Sequence, residues 1–281
     1  MALKQKTLKK EVVFHGKSLF LGQDVVVRLS PAPPNTGIVF RRTDLPQQPV
    51  IPAQTEYVRD AVRTTKIIEG ENSVQTIEHF MAAIRASEID NLIVDVAGAE
   101  MPIFDGSSLP FMQILDQAGV AEQEGRKDLY VLDKPISWSH GDMHMIALPS
   151  DEYRISYTLH YPQSPYLKSQ YYSCVVKPET FRQEIAPCRT FTLYQDVLPL
   201  IEKGVLKNAA LEHGVVIDGE KVMNPEGVRF PDEMVRHKIL DIIGDFALLG
   251  CTFHAHLIGI KTGHAANHYV AKELRKFLRI K

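Results

Sequence analysis

Two stretches of the chain place apolar residues at helical spacing, and a run typical of a buried β-strand follows each of them. A turn and a further helix follow each strand. His79 precedes Asp105 by 26 positions and His237 precedes His264 by 27, so the two copies keep nearly the same spacing. We interpret the order as an internal duplication. The predicted elements are a helix at 73–86, a strand at 91–97, a helix at 110–118, a helix at 232–249, a strand at 252–260 and a helix ending near residue 279.

Short β-rich or alternating runs precede the helices in both halves of the chain. They lie at 12–14, 25–29 and 37–41 in the first half and at 131–138, 143–148 and 154–159 in the second. The segment EQEGRKD at 122–128 is polar and contains a glycine, so it is the best candidate for a linker. Strands followed by helices favour an α+β fold with two similar domains, 1–124 and 125–281, packed through their helix layers.

The composition narrows the class of protein. The 281 residues are 44% hydrophobic and 23% charged, which is typical of a globular protein. The net charge of −2 argues against a nucleic-acid partner, because dedicated nucleic-acid binders are strongly basic. Cys174, Cys188 and Cys251 are odd in number and far apart, which indicates neither a disulfide framework nor a thiolate zinc site. Reduced cysteines fit a cytoplasmic location.

No segment of the sequence has the length and apolarity of a membrane anchor. The N-terminal residues include lysines but no apolar run long enough for a signal peptide. The longest span without a formal charge, 246–260, is too short to cross a bilayer and contains two histidines. We therefore expect no transmembrane segment. Weak contact with a membrane surface and the oligomeric state stay open.

The strongest chemical signal is a His and an Asp four positions apart in the second long helix. His237 and Asp241 share one helical face, where an imidazole and a carboxylate can bind the same metal ion. His79 supplies a third ligand, and three protein ligands leave one position for water, as in catalytic zinc sites. Its neighbour Glu78 is placed to take a proton from that water, and His264 is the right residue type to protonate a leaving group.

Each of these residues also has a commoner explanation when taken alone. A His–Asp pair at this spacing is usually a polar surface pair. Asp245 lies four positions after Asp241 and would orient His264, but a solvated helix charge is an equally good reading of it. His268 lies four positions after His264 and imitates a zinc motif, yet that assignment would leave no acid.

Four further residues are candidates for substrate contact. Thr190 and Phe191 offer a hydroxyl for an oxyanion and a ring for a sugar face, although composition alone favours an ordinary strand or turn. Lys238 and Lys261 flank the proposed site and suit an anionic substrate. The apolar stretch at 192–222 is either a groove for an acyl chain or, more commonly, an amphipathic packing segment.

Taken together, these motifs resemble one enzyme family. TIEH at 76–79, RTF at 189–191, VRHKILD at 235–241 with GD at 244–245, and KTGHA at 261–265 are similar to the UDP-3-O-acyl-N-acetylglucosamine deacetylases of lipid A synthesis. The resemblance covers essentially the whole chain, in order and with the expected spacing. It implies an α+β fold of two domains and removal of acetate from an acylated UDP-sugar with one catalytic zinc ion.

The resemblance also implies roles for individual residues. It places an acyl passage in an insert around 192–222 of the second domain. The implied roles are zinc ligands at His79, His237 and Asp241, a general base at Glu78, an acid at His264 with Asp245 as its partner, an oxyanion contact at Thr190, and substrate contacts at Lys238, Phe191 and, less securely, Lys261.

Two positions depart from the family pattern. Phe20 stands where a His is expected, and Met143 stands where a Lys often follows the preceding Asp. Both departures concern substrate contact rather than the metal, so the acyl length and the recognition of the phosphates stay open. The sequence also leaves open whether zinc or iron is bound in the cell. A binding module without chemistry and a zinc hydrolase with another amide substrate are the competing functions. The intact set of proposed ligands, base and acid favours the enzyme.

Overall fold

The computed structural model of the protein describes residues 3–281, which form an α+β fold of six helices and several sheets. Within these residues the strands are β1 (Leu3–Leu8), β2 (Val12–Lys17), β3 (Asp24–Pro31), β4 (Ile38–Arg42), β5 (Val50–Pro52), β6 (Val58–Arg59), β7 (Lys66–Glu69), β8 (Asn72–Gln75), β9 (Leu92–Val96), β10 (Val120–Lys127), β11 (Leu129–Leu132), β12 (Ile136–His140), β13 (Met143–Leu148), β14 (Tyr153–Tyr161), β15 (Lys168–Val175), β16 (Phe191–Leu193), β17 (Val215–Asp218), β18 (Lys221–Val222), β19 (Thr252–Ile260) and β20 (Leu278–Ile280).

The helices lie between these strands. In chain order they are α1 (Glu78–Ala86), α2 (Leu109–Ala118), α3 (Pro178–Thr180), α4 (Tyr194–Glu202), α5 (Glu233–Ala247) and α6 (His264–Arg275). The short α3 continues into a π-helical turn at Phe181–Ile185, and single 3₁₀ turns form at Thr55–Tyr57 and Leu211–His213. None of the helices in the described part of the chain is both long and apolar enough to span a membrane.

Two mixed sheets carry most of the fold. The first has the strand order β2-β3-β9-β4-β5, and in the second β19 pairs with β13 on one side and with β11 and β14 on the other. Every second residue of β19 is buried, as expected for a strand with one face against helices. Smaller sheets pair β1 with β10, β7 with both β6 and β8, and β17 with both β16 and β18.

The helices α1 and α5 approach each other closely. A Cβ atom added to Gly244 of α5 would lie 2.1 Å from the backbone oxygen of Glu78 at the start of α1. Only a residue without a side chain allows two helices to approach so closely. Ile243 and Phe246 beside it are fully buried, so burial of apolar surface stabilises the contact.

The structure corrects four boundaries expected from the sequence. The first helix begins at Glu78 rather than at 73, because 72–75 form β8 and Thr76 turns the chain with a φ of 58°. Residues 131–138 divide between β11 and β12, and the last helix ends at Arg275, after which β20 pairs with β11. The expected linker at 122–128 lies mostly in β10, whose alternating side chains and pairing with β1 make it a strand.

Substitution of Gly244 by Ala tests the helix contact. The added methyl group must push the two helices apart, so we expect the free energy of unfolding in urea to fall by about 1–3 kcal/mol, the scale of overpacking a core. Gly263→Ala is the matched control, because nothing lies within 4 Å of its added Cβ atom and its φ of −139° suits any residue. Equal stability of the two variants would contradict the close contact.

Candidate active site

Three buried side chains from α1 and α5 meet where these helices touch. His79, His237 and Asp241 each direct one ligand atom to a common point, and these atoms lie within 4.8 Å of one another. The Nε2 atom of His237 is 3.2 Å from Oδ1 of Asp241, and Nε2 of His79 is 3.9 Å from the same oxygen. The spacing and the residue types are those of a site that can hold a metal ion.

The hydrogen bonds around this cluster leave its inner atoms free for a cation. Nδ1 of His237 donates to the backbone oxygen of Cys188 at 3.0 Å, so the lone pair of the neutral ring is on Nε2 and faces Asp241. Oδ2 of Asp241 accepts from Lys238 at 2.7 Å, whereas Oδ1 is buried with no hydrogen-bond partner. Two facing acceptors in a buried site require a proton or a metal ion between them.

The protonation states favour metal binding. Burial, together with the neighbouring His237, lowers the pKa of His79 to about 3, so its imidazole is neutral at physiological pH. Burial opposes ionisation of Asp241, but the Lys238 ammonium and the neighbouring His237 and His264 together outweigh burial and hold the pKa of the carboxyl well below its usual value. Neutral imidazoles and an ionised carboxylate are the forms that bind metals.

Glu78, the residue expected to act as base, lies beside this cluster at the start of α1. Its side chain is almost fully buried, and burial raises its pKa to about 7. The backbone N–H of Thr65 donates to Oε2 of Glu78 at 3.0 Å. Oε1 therefore stays available, and it lies 3.9 Å from Nε2 of His264.

His264, the residue expected to act as acid, is the first residue of α6 and pairs with Asp245. Its Nδ1 donates to Oδ2 of Asp245 at 2.9 Å, which directs Nε2 towards Glu78. Burial disfavours the charged ring, but the adjacent Asp245 carboxylate outweighs burial and raises the pKa of His264 to about 10. The ring is therefore cationic near neutral pH.

Asp245, His264 and His268 form a second group with metal-like spacing. Hydrogen bonds occupy its acceptors: Oδ1 of Asp245 accepts from the Thr65 hydroxyl at 2.6 Å, and Oδ2 accepts from Asn267 at 2.8 Å and from His264. The carboxylate is thus already satisfied, in contrast to Oδ1 of Asp241. This group is better described as a hydrogen-bonded network than as a metal site.

A cleft of about 1150 Å³ opens onto both groups. Six of the ten residues expected to form the site line it beside the expected metal ligands His79 and Asp241, whereas His237 and Asp245 do not line it. The six are Glu78, Thr190, Phe191, Lys238, Lys261 and His264. Phe20 and Met143, the two departures from the family pattern, also line the cleft.

The expected substrate-contact residues have partners of their own. Lys238 pairs with Asp241 and lies 5.7 Å from the centre of the Phe191 ring, and Lys261 pairs with Asp142. Burial opposes the charge of Lys238, yet Asp241 raises its pKa. Lys238 therefore also contacts the cluster of His79, His237 and Asp241.

The far part of the cleft is apolar. It is formed by β16, α4, β17 and the segment that joins α4 to β17, which together make up most of the insert expected around 192–222. Its apolar side chains include Leu193, Val197, Leu200, Leu206, Leu211, Val215 and Met223. A long apolar chain can therefore be accommodated next to the polar groups.

Several residues that shape the site were not identified from the sequence. Thr64, Thr65 and Asn267 hold Glu78 and Asp245. Threonine pairs are common in loops, so no spacing or composition signal separates these from others. The sequence distinguishes His268 only as an imitation of a zinc motif.

Comparison with known proteins agrees with the motifs. The LpxC family model, described as UDP-3-O-acyl N-acetylglycosamine deacetylase, matches residues 5–276. The UDP-3-O-acyl-N-acetylglucosamine deacetylase of Chlamydia pneumoniae is 44% identical over 277 residues, which cover 98% of each chain. The protein of the same name from Chlamydia caviae is 43% identical over 275 residues, again 98% of each chain.

A third relative is similar over a slightly shorter span. The deacetylase of the same name from Chlamydia trachomatis serovar L2 is 40% identical over 263 residues, or 94% of this chain and 92% of the relative. The match of the family model over nearly the full length and the identities of the three relatives agree. The chain therefore belongs to the UDP-3-O-acyl-N-acetylglucosamine deacetylase family.

Proposed function

We propose that this protein is a zinc-dependent deacetylase that hydrolyses the N-acetyl group of UDP-3-O-acyl-N-acetylglucosamine, a step of lipid A biosynthesis. The observation that carries the proposal is the buried His79–His237–Asp241 cluster with Glu78 and His264 facing each other beside it. The family and its relatives, whose names state this activity, support the substrate. The products are acetate and the UDP-3-O-acyl-glucosamine amine.

We assign the zinc ligands to Nε2 of His79, Nε2 of His237 and Oδ1 of Asp241. The unpartnered Oδ1 and the Nδ1 bond of His237 to a backbone carbonyl support the assignment. Lys238 holds the other oxygen of Asp241, which favours binding through Oδ1 alone. A zinc ion in this position would lower the pKa of water to roughly 7 and polarise the acetyl carbonyl.

Glu78 is the general base in this proposal. Oε1 is free while Oε2 is held by Thr65, so the carboxylate can take a proton from the attacking water as the water oxygen bonds to the acetyl carbon. Thr190 lies on the cleft wall, where its hydroxyl can contact the developing oxyanion.

His264 is the general acid. Its Nε2–H points into the cleft because Nδ1–H is bonded to Asp245, and it donates a proton to the glucosamine nitrogen when the carbon–nitrogen bond breaks. Asp245 stabilises the cationic ring and fixes its orientation. Proton uptake by Glu78 and donation by His264 balance over the reaction.

The cleft suits the two ends of the substrate. Lys238 and Lys261 would contact anionic or polar groups, and Phe191 would pack against the sugar. We assign the 192–222 region to the acyl passage because α4 and β17 give the cleft its apolar end. The three free cysteines support a cytoplasmic location.

We also propose that the chain is an internal duplication with domains 1–124 and 125–281. The order β2-β3-β9-β4-β5 of the first sheet recurs as β12-β13-β19-β14-β15 in the second, with the same parallel and antiparallel pairings. Within each unit one helix comes directly before the central strand and another comes after it, and the units meet through α1 and α5.

Acetate release from UDP-3-O-acyl-N-acetylglucosamine tests the proposed reaction. We expect turnover with this substrate, loss of turnover after chelation and recovery when zinc is added back. A protein that binds the substrate without releasing acetate would be the binding module instead. Turnover of another amide but not of this one would indicate a related hydrolase.

Substitution of a ligand tests the metal assignment. His237→Ala removes one of three ligands, so we expect most bound zinc and essentially all turnover to be lost. Metal content is measured by elemental analysis after dialysis. His15→Ala, at an exposed position of β2, is the matched control and should keep both. Normal zinc content in His237→Ala would rule out the assignment.

Glu78→Gln tests the base. Gln keeps the size of the side chain but cannot take a proton, so turnover should fall by roughly 100-fold or more while zinc stays bound. Glu71→Gln, at an exposed turn, is the control and should behave as wild type. Loss of zinc from Glu78→Gln would make Glu78 a ligand rather than the base.

The pH dependence of turnover tests the proposed pair of Glu78 as base and His264 as acid. Glu78 must be ionised and its pKa is about 7, so activity falls as the pH drops through that value; His264 must be protonated and its pKa is about 10, so activity falls as the pH rises towards it. A bound dication favours ionised Glu78 and neutral His264, which moves both limbs down.

His264→Gln separates the two limbs. Gln cannot donate the proton, so turnover should fall by roughly 100-fold and the basic limb should disappear, with zinc retained. His15→Gln should leave the profile unchanged. An unchanged basic limb in His264→Gln would exclude His264 as the acid.

A further inference from the structure

Thr65 lies between the proposed base and the proposed acid, although it does not line the cleft. It is 1% exposed, just before β7, and is absent from the residues that form the wall of the cleft. It therefore cannot touch the substrate, and any influence on the reaction must act through its neighbours.

The backbone of Thr65 holds the base. Its N–H donates to Oε2 of Glu78 at 3.0 Å, and the hydroxyl of Thr64 lies 3.4 Å from the same oxygen. The Glu78 carboxylate is thus held through Oε2, while Oε1 is not held by Thr65 and faces His264. The main chain makes this contact, so a change of the Thr65 side chain leaves it in place.

The hydroxyl of the same residue holds the partner of the acid. Oγ1 is 2.6 Å from Oδ1 of Asp245, 3.1 Å from Nε2 of His268 and 3.2 Å from Nδ1 of His264. An ionised carboxylate only accepts, so the single hydroxyl proton goes to Asp245 and His268 donates its Nε2–H to the hydroxyl. The other nitrogen of His268 is buried without a partner, which fits a neutral ring with its proton on Nε2.

We propose that Thr65 is a positioning residue that fixes the orientation of Glu78 and of the Asp245–His264 pair relative to each other. The proposal rests on the deacetylase function argued above. The hydroxyl fixes the rotation of the Asp245 carboxylate, and the carboxylate in turn directs Nδ1 of His264 away from the cleft and Nε2 into it. His268 completes the chain as a donor to the hydroxyl.

Loss of the hydroxyl should affect the chemical step rather than binding. Thr65→Val keeps the size and the backbone bond to Glu78, but Oδ1 of Asp245 loses its charge-assisted donor. We expect kcat to fall by about 10- to 100-fold, the scale of one such bond, with KM and zinc content near the wild-type values. Thr65→Ser keeps the hydroxyl and should recover most of kcat.

Thr7→Val is the matched control. Its hydroxyl is also buried, donating to the Asn91 backbone and accepting from Ala32, but it lies in β1 outside the site. We expect Thr7→Val to lower stability and to leave kcat unchanged. An unchanged kcat in Thr65→Val, or failure of Thr65→Ser to recover it, would overturn the proposal.

Imidazole NMR of the metal-free protein gives a readout that does not depend on turnover. In Thr65→Val the Nε2–H proton of His268 loses its acceptor, so its resonance should shift or exchange away, and the Nδ1–H resonance of His264 should move with the freed Asp245. Both should be unchanged in Thr7→Val. Unchanged resonances in Thr65→Val would overturn the positioning role, whereas an inactive wild-type protein would refute the proposed function instead.

Discussion

The close contact between α1 and α5 is the constraint on which the site depends. Gly244 lets the backbone of α5 approach the backbone oxygen of Glu78, and no side chain fits between them. Glu78 and His79 at the start of α1 are thereby brought against His237 and Asp241, more than 150 positions later in the chain. Since neither helix carries all three residues of the proposed metal site, the site exists only while the helices are packed.

Buried charges around this contact are compensated in pairs. Arg189 is 2% exposed and bonds Glu233, Glu226 and the backbone of Gly227, which fixes the segment that carries Thr190 and the Cys188 carbonyl. Removing one partner of such a pair is far more costly than the pair itself is stabilising, because an unpaired charge stays buried. The oxygen of Asp241 without a donor is thus an exception that metal binding would resolve.

The sequence predicted the elements that have a clear period and the residues that recur in motifs. The strand at 252–260 was correctly bounded, and the α5 helix was expected within two residues at each end. The prediction of a linker at 122–128 was wrong. The polarity of this segment resembles that of a linker, whereas its pairing with β1 is a long-range contact that no local pattern contains. Thr65 was missed for the same reason: its partners lie at residues 78, 245 and 268.

Anomalous X-ray diffraction at the zinc absorption edge, from crystals of the wild-type protein grown with one equivalent of zinc, tests the account most directly. Two groups of the described residues have metal-like spacing, and only one should bind. We predict a single peak at roughly 2.0–2.2 Å from Nε2 of His79, Nε2 of His237 and Oδ1 of Asp241. A peak at Asp245, His264 and His268 instead, or no peak at the α1–α5 contact, would contradict it.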